Sequence, residues 1–227
     1  MQKTIKNLWA LILLAPFPSV GVLMALSYAN GPIGSALWGF AKIWVLAFPL
    51  LWFVYIDRQK VAIPKIEKKD WLIGLTVGAL MFASILISYY VFARGNFDSM
   101  PMRDLLFEAG LNNPLHYLLM ATYWSFANSL VEEYVFRWFI YLKAEPLLGR
   151  SGAVICSALI FTAHHSVALS FYVPWQLNLL ASLGVFFAAI IWSAMYAKLR
   201  NIWAGYISHV MADIAIFSLG YFLLFGN

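Results

Sequence analysis

The stretch Trp71–Ala93, WLIGLTVGALMFASILISYYVFA, runs 23 residues without one charged side chain, between Lys68-Lys69-Asp70 and Arg94. As a helix rising 1.5 Å per residue it would be about 35 Å long, enough to cross a hydrocarbon core about 30 Å thick. Six further stretches read as membrane spans: Leu8–Tyr28, Ile33–Ile56, His116–Leu142, Gly152–Phe171, Leu177–Ala197 and Ile202–Phe225. Composition agrees. The 227 residues are 63% hydrophobic, 18% aromatic and 11% charged, where soluble domains carry about 25% charge. With a mean hydropathy of +0.78, soluble enzyme folds are excluded. The expected fold is all-α: a polytopic membrane helix bundle of about seven transmembrane helices, one integral-membrane domain over residues 1–227. The ionisable residues inside the spans concentrate in a core of about 116–225.

The formal charge of +5 at pH 7 would suggest nucleic acid in a soluble protein, but its placement reads as a topology signal. If the spans alternate, Lys3, Lys6, Arg58, Lys60, Lys65, Lys68, Lys69, Lys143, Arg150, Lys198 and Arg200 share one side, against Arg94 and Arg103 on the other. Eleven cations against two place the N-terminus in the cytoplasm. The basic loops then face anionic lipid, and no nucleic-acid partner is expected. The first span lacks a small-residue cleavage site and is expected to be a retained anchor. The single cysteine, Cys156, leaves no intramolecular disulfide to form.

Ionisable groups at membrane depth are costly and demand a partner or a function. Here they concentrate. The fourth span contains Asn128-Ser129-Leu130-Val131-Glu132-Glu133-Tyr134-Val135-Phe136-Arg137. Glu133 and Arg137 stand four apart on one helix face, suited to an ion pair, while Glu132 points about 100° away. The fifth span carries Phe161-Thr162-Ala163-His164-His165, and the seventh carries His209 and Asp213 one turn apart. Acid, imidazole and acid on three helices suffice for proton transfer and water activation. His164 is expected to play an indirect or structural role. Lys42 could snorkel, pair with an acid or line a water path. Aromatic residues near the span ends read as packing and interfacial anchors.

The ordered set Glu132-Glu133-x-x-x-Arg137, Phe161-x-x-x-His165 and His209-x-x-x-Asp213 resembles the CPBP family of intramembrane proteases. That family includes the type II CAAX prenyl endopeptidases and the bacteriocin-processing, or Abi, proteins. The resemblance covers about Asn128 to Asp213; the first three spans match only as generic hydrophobic helices. It implies that Glu132 is the general base, that His165 holds the attacking water with it, and that His209 and the residue four later stabilise the oxyanion. Glu133, Arg137 and Phe161 would support the site. One departure matters, because the prenyl endopeptidases usually have Asn where this chain has Asp213. An ionised carboxylate accepts hydrogen bonds and cannot donate them, so Asp213 must be protonated, orient His209 or bind a metal. Members with Asp at this position make that a subgroup difference and leave the oxyanion role mainly to His209.

Glu132, His165, His209 and Asp213 also form a plausible ligand set for zinc. No HExxH motif is present, and the resemblance favours a glutamate-activated water with no cofactor. The chain has neither a GxSxG loop nor paired intramembrane aspartates, which argues against serine and aspartyl chemistry. The expected activity is endopeptidase cleavage of a membrane-anchored or lipid-attached substrate. The site would open toward the cytoplasm, with Glu132 about 15 Å from that end of its span. Short loops and small size resemble bacterial members, hence a bacterial cytoplasmic membrane. The alternatives are a proton-coupled transporter and a catalytically inactive immunity or scaffold protein. Oligomeric state and substrate identity have no signature in the chain.

Overall fold

A computed structural model describes residues 2–27, 31–95 and 98–226, with the side chains of Gln2 and Lys3 left aside. The end of the first expected span at Tyr28, the charge of Lys3, and Asn96 and Phe97 of the long loop lie outside the described residues. In chain order the helices are α1 (Gln2–Leu14), α2 (Phe17–Ser27), α3 (Pro32–Leu51), α4 (Lys68–Ser88), α5 (Met100–Glu108), α6 (Pro114–Thr122), α7 (Ser129–Glu132), α8 (Leu142–Leu169), α9 (Trp175–Leu199) and α10 (Trp203–Phe225). Wider π-helical turns extend or join several of them, at Trp52–Ile56, Tyr89–Ala93, Tyr123–Asn128 and Glu133–Tyr141.

Among the described residues, six helical stretches are long and apolar enough to cross a membrane. The fourth, Pro114–Leu169, has 56 residues. At 1.5 Å per residue that is about 84 Å, more than twice the hydrocarbon core, so it does not cross once. Gly149 breaks it with φ 70° and ψ 175°, a left-handed conformation open to glycine and costly for other residues. Beyond the break the chain folds back: Ser157 Oγ donates to the Phe136 carbonyl at 2.8 Å, and the Phe136 and Phe161 rings meet edge to face. The stretch therefore supplies two crossings, and the count of about seven holds. The protein is an integral, multi-pass membrane protein. Large apolar side chains point outward along it, among them Leu72, Leu80, Ile43 and Phe187, where a soluble protein would place polar ones.

The chain divides into two compact units, each assembled from separate stretches. One comprises Met1–Lys65 and Glu133–Asn201. Its α8 and α9 present small buried residues to each other: Ala153, Ser157 and Ala158 from one, Ala189, Ser193 and Ala197 from the other. Small side chains let membrane helices approach, and Ser193 Oγ donates to Ser157 Oγ at 3.3 Å across that seam. At one end of this unit Lys143 pairs with Asp57, and Arg200 grips Glu145 through two nitrogens at 2.6 and 2.7 Å. Hydrogen bonding to Glu145 pushes the Arg200 guanidinium above its ordinary pKa range. These contacts bring the segment after α3, the first turns of α8 and the residue after α9 together.

The other unit comprises Ile66–Glu132 and Ile202–Asn227. Asp70 starts α4 by accepting the Glu67 backbone N–H at 2.8 Å, a capping box. Gly74 and Gly78, one turn apart on α4, take α10 at close range: a methyl placed on Gly74 would lie 2.7 Å from Ile207 Cβ. Met211 sits equally close over Gly78. Ile207 and Met211 thereby face α4. His209 and Asp213, each two residues further along, are turned about 200° away. The glycine pair thus sets the rotation of α10 about its axis and aims the polar residues at α7.

Candidate active site

Two sets of polar residues occupy these units, one in each. In the unit holding α4 and α10, α7 is a single α-turn bracketed by π turns, a deviation often found at functional sites. It presents Ser129 and Glu132, both buried. Asn128 Nδ2 donates to Glu132 Oε1 at 2.8 Å, while Glu132 Oε2 lies 3.5 Å from His209 Nε2. Asp213 Oδ1 lies 4.0 Å from the same nitrogen. Asp213 Oδ2 accepts a hydrogen bond from Ser129 Oγ at 2.5 Å. Glu132, His209 and Asp213 are therefore brought together as their positions on the helices suggest. Both separations from Nε2 exceed a direct hydrogen bond yet fall below twice its length, so one oxygen atom can touch the imidazole and a carboxylate at once. The Glu132 and His209 side chains are nearly enclosed, at 9% and 3% exposure, while Asp213 is open at 25%.

In the other unit, Glu133 and Arg137 are wholly buried, with Arg137 Nε 3.4 Å from Glu133 Oε1. The guanidinium lies 4.2 Å from the Phe161 ring centre and 5.0 Å from that of Trp192, an aromatic enclosure that compensates part of its lost hydration. On its other side Phe161 packs against His165, ring centres 4.2 Å apart. His165 Nδ1 donates to the Phe161 carbonyl at 3.0 Å, which makes Nδ1 a hydrogen-bearing nitrogen of the ring. The spacing of Phe161 and His165 thus has a local meaning: one residue covers the arginine and holds the imidazole. His164 stacks near Phe136, with ring centres 6.3 Å apart, and Lys42 is half-buried on α3.

Three neighbours of the motif residues carry no mark in the sequence. Asn128 and Ser129 stand in the decisive stretch, but their partners are a turn away or on another helix. Trp192 was one aromatic among many, and nothing in α9 marks it as the cover of a buried cation.

Residues 114–215 match the family described as type II CAAX prenyl endopeptidase Rce1-like. No curated protein and no solved structure matches the chain. The matched segment takes in every motif residue from Glu132 to Asp213, on helices apolar enough to cross a membrane. Its order of motifs and its family match together make residues 114–215 similar to the CPBP family of intramembrane proteases, in the Rce1-like, CAAX-type branch.

Proposed function

We propose that the protein is a glutamate-dependent endopeptidase that hydrolyses a peptide bond in a membrane-anchored or lipid-attached protein or peptide. The observation that carries this reading is the buried Glu132 carboxylate, oriented by Asn128 and facing His209 Nε2 at 3.5 Å, in a domain of a protease family. A carboxylate in such surroundings is suited to take a proton from water, and an imidazole N–H beside it is suited to meet developing negative charge.

In the proposed reaction Glu132, with His165, holds the water and accepts one of its protons. The hydroxide oxygen bonds to the scissile carbonyl carbon, and the carbonyl electrons move onto its oxygen, which faces His209. Collapse of this intermediate breaks the C–N bond, and the proton held by Glu132 passes to the leaving nitrogen. Asp213 orients His209. Glu133, Arg137 and Phe161 hold the helices and His165 in place. The site opens toward the cytoplasm of a bacterial cell, in keeping with the charge asymmetry of the loops, and a tethered substrate reaches it along the membrane.

The reaction as proposed needs no metal; zinc on Glu132, His165, His209 and Asp213 is the competing outcome. The test is cleavage of membrane-tethered peptides by purified protein in liposomes, comparing wild type with Glu132→Ala and His165→Ala, with and without a chelator. Cleavage abolished by both substitutions and indifferent to the chelator is expected. Cleavage that the chelator removes and zinc restores would replace the glutamate mechanism by a metal one. Cutting that persists equally in both variants would discard the assignment.

A further inference from the structure

We propose that Ser129 is a positioning residue for the reaction, acting through Asp213. This deepens the functional reading above and rests on it. The resemblance sets Asp213 apart, a carboxylate where the prenyl endopeptidases usually offer an amide, and the structure supplies a partner that suits it. Ser129 is completely buried on α7, and its Oγ lies 2.5 Å from Asp213 Oδ2, a bridge between residues 84 apart in sequence. That distance is typical of a hydroxyl donating to an ionised oxygen. Ser129 Oγ also lies 3.2 Å from the Trp124 carbonyl, but that carbonyl already accepts the Ser129 backbone N–H at the end of the π turn. The hydroxyl has one hydrogen, and the closer, charged acceptor takes it.

The consequence is directional. With Oδ2 held by Ser129, the second oxygen, Oδ1, faces His209 Nε2 at 4.0 Å. Glu132 Oε2 faces the same nitrogen at 3.5 Å, its own carboxylate turned by Asn128 through Oε1. Two neighbouring residues on one turn therefore each fix one oxygen of a carboxylate and direct the other at one imidazole nitrogen. Acceptors facing Nε2 favour the tautomer in which that nitrogen carries hydrogen, the form able to donate to an oxyanion. An amide at 213 that gave its oxygen to Ser129 would turn its NH2 toward Nε2 and favour the opposite tautomer. Aspartate at 213 and a hydroxyl at 129 thus form a matched pair.

The test is a double-substitution cycle read as single-turnover cleavage in detergent, with KM and the unfolding temperature measured alongside. Ser129→Ala is expected to lower kcat roughly ten- to hundredfold, the scale of a hydrogen bond to a charged group, with KM and unfolding temperature little changed. Asp213→Ala is expected to lose at least as much, and the double variant no more than Asp213→Ala alone. Ser129→Thr, which keeps the hydroxyl, restores most of the rate. Ser129→Cys keeps the packing with a weak donor, gives a reduced rate, and carries the test if the alanine variant does not fold. Full activity in Ser129→Ala or Ser129→Cys, or losses that multiply in the double variant, would overturn the positioning role. Glu132→Ala, measured in parallel, separates the two levels: activity there overturns both readings, whereas its loss beside a fully active Ser129→Ala overturns this one alone.

Discussion

Glu132 and Glu133 are adjacent in sequence, identical in chemistry and placed in contrasting surroundings. Glu133 is sealed with Arg137 behind Phe161 and Trp192, at zero exposure for both charges. Glu132 keeps slight exposure and shares its neighbourhood with the polar groups of His209, Asp213, Asn128 and Ser129. A turn of 100° separates adjacent side chains along a helix, and that suffices to give one glutamate an ion-pair partner and the other the setting proposed above for catalysis.

The comparison can be broken most forcefully on the sealed side. Glu133→Ala leaves the Arg137 cation without its carboxylate in a dry interior, and a loss of about 3 to 5 kcal/mol is expected, read by thermal unfolding in detergent. Replacing both residues by Leu and Met should recover most of that stability, because an apolar pair of similar volume needs no charge compensation. On the reactive side, His209→Ala is expected to lower kcat by about 100- to 1000-fold, the effect of removing an oxyanion donor, with the unfolding temperature close to wild type. A smaller effect is expected where α10 is aimed: Gly74→Val would overpack the seam against Ile207 by about 1 to 3 kcal/mol and lower activity as His209 and Asp213 turn away. The smallest belongs to Arg200→Ala. It removes a partly exposed pair with Glu145, and a shift below about 1 kcal/mol should leave cleavage unchanged.

Much of the fold was legible because the bilayer imposes a simple rule on composition: charge-free runs of the right length become spans, as Trp71–Ala93 does within α4 and its π extension. The boundary between the fourth and fifth spans was legible for the same reason, and Gly149 is where the chain breaks. Within the site, the pairs Glu133 with Arg137 and His209 with Asp213 follow from helical spacing alone. Contacts between helices do not. The bond from Ser129 to Asp213 spans 84 positions and leaves no periodic trace, and Trp192 reaches Arg137 from a helix with no charge inside the membrane. The glycine pair of α4 was visible as letters, yet only the packed seam shows that it sets the rotation of α10. The π turns around α7 were equally hidden, since the same residues read as an ordinary helix.

The most direct test of the central claim puts the adjacent glutamates side by side. Glu132→Gln and Glu133→Gln would be purified in one detergent, and each assayed for single-turnover cleavage of a tethered peptide and for unfolding temperature. The account predicts that Glu132→Gln loses cleavage by at least about 100-fold with an unchanged unfolding temperature, while Glu133→Gln unfolds at a clearly lower temperature. Wild-type cleavage by Glu132→Gln, or a Glu133→Gln variant that is fully stable yet inactive, would contradict it.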